Sequence, residues 1–174
     1  MYKSYPTKYK HVQFRSRLEA RWAAFFDLLE MSWEYEPIDL SGYIPDFILP
    51  NFYSPLLIEV KPVLRFEDFS QHISKIDASG WEGPVMIVGA KLFIDSYPHS
   101  IVGLVRHESR WSACRLLRCR WLCYDWMFTS DIDDNGNFFC LGTKGCGGGP
   151  SVENGIYGEN FWERAGNIVQ WKRP

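Results

Sequence analysis

Asp46, Glu59 and Lys61 are the residues of this sequence whose types and spacing suit chemistry. All three lie in "GYIPDFILPNFYSPLLIEVKPV", residues 42–63, where the remainder of the run is mostly apolar. "YIPDFIL" and "PLLIEVK" read as successive strands joined by a turn at residues 51–54. Along the second strand, period-two alternation sets Glu59 and Lys61 on one face and Ile58 and Val60 on the other. A hairpin of these strands brings Asp46 across to Glu59. Two carboxylates confined in a partly buried place repel each other, and a bound divalent cation removes that cost. Oxygen ligands alone favour a hard ion, Mg2+ or Mn2+, over zinc. Lys61 would activate a water or neutralise a phosphate oxygen while the cation polarises phosphorus, and this set of groups is what phosphodiester hydrolysis requires.

The elements that must position these groups can be read on either side. Phe14, Leu18, Trp22, Phe25 and Leu29 recur at helical spacing, which predicts an amphipathic helix over residues 14–30. "WEYEPI", residues 33–38, reads as a first strand ahead of the hairpin, and Pro62 should end the third strand because it donates no backbone hydrogen bond. Phe66, Phe69, Ile73 and Ile76 predict a second helix over 66–78, with Gly80 placed to stop it. "PVMIVGA", residues 84–90, reads as a buried strand. The order of helix, three strands, helix and strand is an α/β arrangement in which the fourth strand pairs parallel with the third through a right-handed crossover.

Other polar residues near these elements have two readings each. Glu19 sits at the edge of the first helix's apolar stripe, as a solvated glutamate paired with Arg15 or Arg21, or as a carboxylate reaching over the sheet edge toward Asp46. Glu34, Glu36 and Asp39 are alternative ligands, although strand alternation turns them to solvent. Gln71 and Lys75 lie opposite Phe69 and Ile76, on a face that is solvated or meets a nucleic-acid backbone. His72 reads as a surface histidine rather than a general base.

Pro45 and Asp46, twelve intervening residues, and then Glu59, Val60 and Lys61 resemble the signature of the PD-(D/E)xK nuclease superfamily. "FRSRLEARWAAFF" is similar to the N-terminal helix of that superfamily's phage-type and resolvase-like branches. The resemblance covers roughly residues 12–95. It implies a restriction-endonuclease-like αβββαβ core, a Mg2+- or Mn2+-dependent endonuclease acting on DNA, and a homodimer for cutting two strands. It also implies that Asp46 and Glu59 are metal ligands, that Lys61 is the catalytic lysine, and that Glu19 is a further acidic ligand or water-positioning group. A non-catalytic nucleic-acid-binding module on the same fold is the alternative.

The whole chain is compatible with this reading. Its 174 residues fit one domain with a sizeable core, and 46% apolar with 17% aromatic content excludes a disordered chain. We divide it into a nuclease-like core at 1–95, a Cys-, Arg- and Trp-rich, mainly β appendage at 96–150, and a C-terminal segment at 151–174. The last ends in a helix whose packing residues would be Trp162, Ile168, Val169 and Trp171. No apolar run is long enough for a membrane span and none at the N-terminus reads as a secretory signal, so a soluble intracellular protein is expected, and the resemblance implies the cytoplasm of a bacterium or a phage-infected host.

The formal net charge is only −2, yet eleven of the 19 basic residues fall in residues 1–21 and 106–120. Together these segments would form a phosphate-binding surface, and separately they read as solvated faces. Cys119 and Cys123, with Cys140 and Cys146, form two separated pairs like the four thiolates of a structural zinc ribbon. Their CxxxC and CxxxxxC spacings depart from the usual CxxC, and small buried thiols in ordinary strands account for the same pattern.

Overall fold

A computed structural model of the chain describes residues 4–52, 54–94, 100–107, 109–118, 126–132, 138–141 and 157–170. It is a mixed α/β structure. After a short hairpin of β1 (Thr7–Tyr9) and β2 (Val12–Phe14) comes helix α1 (Arg17–Leu28), followed by β3 (Glu34–Tyr35), β4 (Phe47–Leu49) and β5 (Leu56–Val60). A 3-10 turn (Phe66–His72) runs into the short helix α2 (Ile73–Asp77). β6 (Val85–Phe93), β7 (Ile101–His107), β8 (Arg110–Arg118), β9 (Trp126–Ile132) and β10 (Phe138–Cys140) follow, and α3 (Tyr157–Ile168) closes the chain. Among the described residues β3 to β10 form one eight-stranded sheet in sequential order.

Among the described residues only β5 and β6 pair in parallel, and every other neighbouring pair of the sheet is antiparallel. A parallel pair needs a crossover, and the 3-10 turn with α2 supplies it. The predicted helix over 66–78 is therefore half 3-10. The physical reason lies in the spacing: Phe66 and Phe69 are three apart, and a helix of three residues per turn stacks them on one face. Phe69 and Ile76 bury that face against Leu57, Val85 and Ile87 of the sheet.

The opposite face of the sheet carries α1 and α3. Phe47, Leu49, Leu56, Ile58, Val60, Met86 and Val88 join Trp22, Phe25 and Phe26 in a single cluster. β5 is thus buried along its whole length on both faces, which a parallel pair in the middle of a covered sheet demands. Trp22 donates its indole N–H to the carbonyl of Gly89 at 2.9 Å, so this large buried ring leaves no unpaired donor.

Helix α1 begins three residues later than its apolar periodicity suggested, because residues 12–14 are strand β2 and Ser16 caps the helix. It ends in a Schellman arrangement: Met31 N–H donates to the Phe26 carbonyl at 2.9 Å and Glu30 N–H to the Asp27 carbonyl at 3.0 Å. Glu30 holds the left-handed position, φ +58°, without being glycine.

Strands β3, β4 and β5 are shorter than the predicted segments, so Asp46 immediately precedes β4 and Lys61 immediately follows β5. The strand predicted at 84–90 extends to Phe93. Residues read as an appendage contribute β7 to β10 to the same sheet as β5 and β6. In and just after α3, Trp162 and Val169 are buried as expected, Ile168 is half exposed, and Trp171 lies outside the described residues. Trp162 packs against Trp22 and Phe25, and the Arg21 guanidinium stacks on its ring 3.9 Å from the centroid while donating to its carbonyl. Gly166 fits this contact, since a Cβ there would meet that guanidinium at 2.9 Å.

Candidate active site

Three carboxylates are buried where α1 meets the β4 and β5 ends: Asp46 at 5%, Glu59 at 4% and Glu19 at 8% exposure. Charged carboxylates are rarely buried this far without partners, so their partners decide what each one does.

Glu19 is the third residue of α1, and its partners are those of a cap. Ser16 Oγ accepts the Glu19 N–H at 3.1 Å and donates to Glu19 Oε1 at 2.6 Å. Glu19 Oε2 accepts from the Tyr35 hydroxyl at 2.6 Å and from the Arg15 N–H at 3.2 Å. This is a capping box whose return bond goes to Arg15, and it uses both carboxylate oxygens. The same hydrogen bond, after burial, pushes the Tyr35 hydroxyl pKa up.

Asp46 enters the site because the antiparallel register pairs Phe47 with Ile58, which puts Asp46 opposite Glu59. Its Oδ2 accepts the Val60 N–H at 2.7 Å and its Oδ1 meets the Arg15 guanidinium at 3.0 Å. Burial pushes its carboxyl up to about 7, with the Glu59 charge next and Glu19 adding less, while the Val60 N–H and Lys61 oppose the rise. The Arg15 side chain is 60% exposed, and solvent screening keeps its contact from reversing this.

Glu59 is the carboxylate left incomplete. Its Oε1 pairs with the Lys61 ammonium, but the buried Oε2 has no hydrogen-bond partner among the described residues. The Tyr43 hydroxyl is also buried and faces Glu59, close enough for a weak hydrogen-bonding contact to raise its pKa but outside regular hydrogen-bond geometry. Burial and then the Glu59 charge push that hydroxyl's pKa up. Lys61 is held by its own N–H, which donates to the Val88 carbonyl at 2.9 Å, so the ammonium hangs from an ordered backbone.

Sequence reasoning treated His72 as a surface residue and missed Tyr43. His72 is half-buried, and its pKa is lowered first by burial and then by the Lys61 charge, against Glu59. Tyr43 is delivered by a two-residue turn, Ser41 and Gly42, both with positive φ as a type I′ hairpin turn requires. That Ser-Gly pair, with Gly42 four residues ahead of Asp46, was the available signal. Lys75 is exposed and its ammonium lies 5.8 Å from the Tyr43 ring centroid, while Gln71 is exposed. Glu34, Glu36 and Asp39 face solvent as alternation suggested, and Glu36 pairs with Arg15 at 2.7 Å.

Of the basic residues at 106–120, two are drawn into the core, while Arg120 and the Arg118 side chain lie outside the described residues. Arg106 is buried, donating to Asp77 at 2.9 Å and to the carbonyls of Trp81 and Gly83, and Arg115 is buried as well. Arg21 is committed to α3. Lys8, Arg15 and Arg17 are exposed at the N-terminal side, and Arg110 is exposed at the start of β8. Cys119, Cys123 and Cys146, with the Cys140 side chain, lie outside the described residues; Cys114 is buried in the core.

Among the described residues no three His, Cys, Asp or Glu side chains are gathered as a ready metal site. The chemistry of Asp46 and Glu59 is compatible with a cation, because one buried oxygen lacks a regular hydrogen bond among the described residues, and burial and then the Glu59 charge raise the Asp46 pKa. No helix among the described residues is long and apolar enough to cross a membrane. Comparison with protein-family models, curated proteins and solved structures finds no match to the chain.

Proposed function

We propose that the protein is a metal-dependent endonuclease that hydrolyses phosphodiester bonds of DNA, with Asp46 and Glu59 binding Mg2+ or Mn2+ and Lys61 serving the reaction. The observation that carries this reading is the buried Glu59 Oε2, which no regular hydrogen bond among the described residues satisfies, set opposite Asp46 and on the same carboxylate as the Lys61 ion pair. Further support comes from the order of elements. Helix α1, the β3–β4–β5 meander, the crossover and parallel β6 follow the αβββαβ order of a restriction-endonuclease-like core.

A bound Mg2+ or Mn2+ would polarise the phosphate and neutralise charge developing on its oxygens. Asp46, fixed through Oδ2 on the Val60 N–H, would offer Oδ1 to the cation, and Glu59 would offer Oε2. Lys61 would turn from Glu59 Oε1 toward a phosphate oxygen or the attacking water, its backbone staying on Val88. Exposed Lys8, Arg15 and Arg17 would meet the strand's phosphates. Tyr43 would orient Glu59 by completing the hydrogen bond its hydroxyl lacks.

A second reading is a non-catalytic nucleic-acid-binding module. It is favoured by Glu19's full commitment to the α1 cap, which leaves two acids rather than three for a cation. Cleavage of plasmid, linear, single-stranded and branched DNA with Mg2+ or Mn2+ separates the two. We expect Asp46→Ala and Lys61→Ala each to lose at least about a hundredfold in rate. Equal cleavage by all three proteins, or none by the wild type with DNA binding that survives both substitutions, would leave only the binding module.

A further inference from the structure

We propose that Arg15 is a latch on this site: it holds Asp46 Oδ1 in the cation-free protein and must release that oxygen when a cation enters. The inference rests on reading Asp46 and Glu59 as the cation-binding pair. Arg15 Nη2 bridges two carboxylates, Asp46 Oδ1 at 3.0 Å and Glu36 Oε1 at 2.7 Å. Asp46 Oδ2 is committed to the Val60 N–H, so Oδ1 is the oxygen over which the guanidinium and a cation compete. Two like charges cannot share it cheaply in a buried setting.

The surroundings let the guanidinium move while the backbone stays. The Arg15 N–H is anchored on Glu19 Oε2 and the Tyr35 hydroxyl, next to the Ser16 cap. Its side chain is 60% exposed, so swinging outward opens no cavity. Glu36, the second partner, has its side chain at 35% exposure and offers a place to remain. Glu36 also takes up a left-handed φ of +46° while its N–H donates to the Asp46 carbonyl at 3.0 Å, which ties the resting place to the site it serves.

The latch explains how the Asp46–Glu59 pair tolerates its charge without a cation. A buried aspartate facing a buried glutamate needs compensation, and Arg15 supplies part of it until a cation supplies more. Reciprocity then requires that each binds more weakly in the presence of the other.

Mn2+ titration by calorimetry at pH 8 tests this with wild type, Arg15→Ala, Arg15→Gln and Asp46→Asn, with thermal melts alongside. We expect both Arg15 variants to bind Mn2+ roughly two- to fivefold more tightly than wild type, the scale of one partly exposed ion pair. Saturating Mn2+ should raise their melting temperatures more than it raises that of wild type. A purely structural arginine would lower the melting temperature with and without Mn2+ alike and leave the Kd unchanged. Binding that Asp46→Asn abolishes, with an unchanged or weaker Kd in both Arg15 variants, overturns the latch alone. Absence of any Mn2+ binding in wild type and in both Arg15 variants overturns the cation reading and the latch together.

Discussion

The α1 cap and the β4–β5 junction each bury a glutamate to nearly the same degree, and the two are opposites in what surrounds them. Glu19 takes hydrogen bonds from Ser16, Tyr35 and Arg15 and has both oxygens occupied. Glu59 has Lys61 on one oxygen and, among the described residues, no hydrogen bond of regular geometry on the other, with only a loose contact from the Tyr43 hydroxyl beside it. Burial alone therefore does not distinguish a functional carboxylate from a structural one, since both pay the desolvation cost. Completion of the hydrogen bonds is what separates the two, and it is the ground on which we propose a cation-binding role for Glu59 and a structural one for Glu19.

The largest effect that sharpens this contrast is on pH dependence. The folded-state pKa of Asp46 is raised from 3.8 to about 7, so between those values the folded protein binds more protons than the unfolded chain. Stability of the cation-free protein should then fall as pH rises from about 4 to 7, by at most about 4 kcal/mol from this group alone. Asp46→Asn keeps an acceptor for the Val60 N–H and cannot ionise. Urea unfolding from pH 4 to 8 should show wild type losing stability relative to the variant as pH climbs. A constant difference across that range would mean that Asp46 is not held against ionisation.

Next in size is a pair of substitutions expected to act with opposite sign. Glu19→Ala removes the cap and strands donors on Ser16, Tyr35 and Arg15, costing about 2 kcal/mol. Glu59→Gln removes the repulsion with Asp46, and the partly exposed Lys61 ammonium it releases can turn to solvent, so the cation-free protein should be stabilised by about 1 kcal/mol. Denaturant midpoints at pH 8 check both, and equal losses in the two variants would erase the distinction between cap and site. A smaller gain, about 0.5–1 kcal/mol, is expected for Glu30→Gly at the far end of α1, where φ is +58° and glycine fits without strain.

Much of this was legible before any coordinates, for local reasons. Asp46, Glu59 and Lys61 declared themselves because charge inside apolar strands is costly, and hairpin register brings the two acids opposite one another. The cap was also written locally, as Ser16 followed three residues later by Glu19, but apolar periodicity from Phe14 drew the helix start too early and hid it. Arg106 and Arg115 were not legible. Their burial follows from β7 and β8 lying inside a sheet covered on both faces, a tertiary fact that charge density along the chain does not carry. The 3-10 turn was lost in the same way, since spacings of three and four suit either helix until packing chooses.

The finest test sets two tyrosines against each other. Tyr35 donates to Glu19 at 2.6 Å, whereas Tyr43 sits beside Glu59 with only a loose contact. Both are flanked by a buried carboxylate, and removing either hydroxyl deletes one oxygen. Tyr35→Phe should cost about 1 kcal/mol, because a buried charged acceptor loses its donor. Tyr43→Phe should change the stability of the cation-free protein by less than about 0.5 kcal/mol, because it removes a polar group without a regular hydrogen bond from an apolar setting. Mn2+ should reverse the order of importance: a hydroxyl that orients Glu59 matters only once Oε2 has a ligand, so Tyr43→Phe should weaken Mn2+ binding while Tyr35→Phe leaves it within about twofold. Denaturation without metal and calorimetry with it read the two halves separately. Identical behaviour of both variants in both measurements would show that the two carboxylates differ in name only.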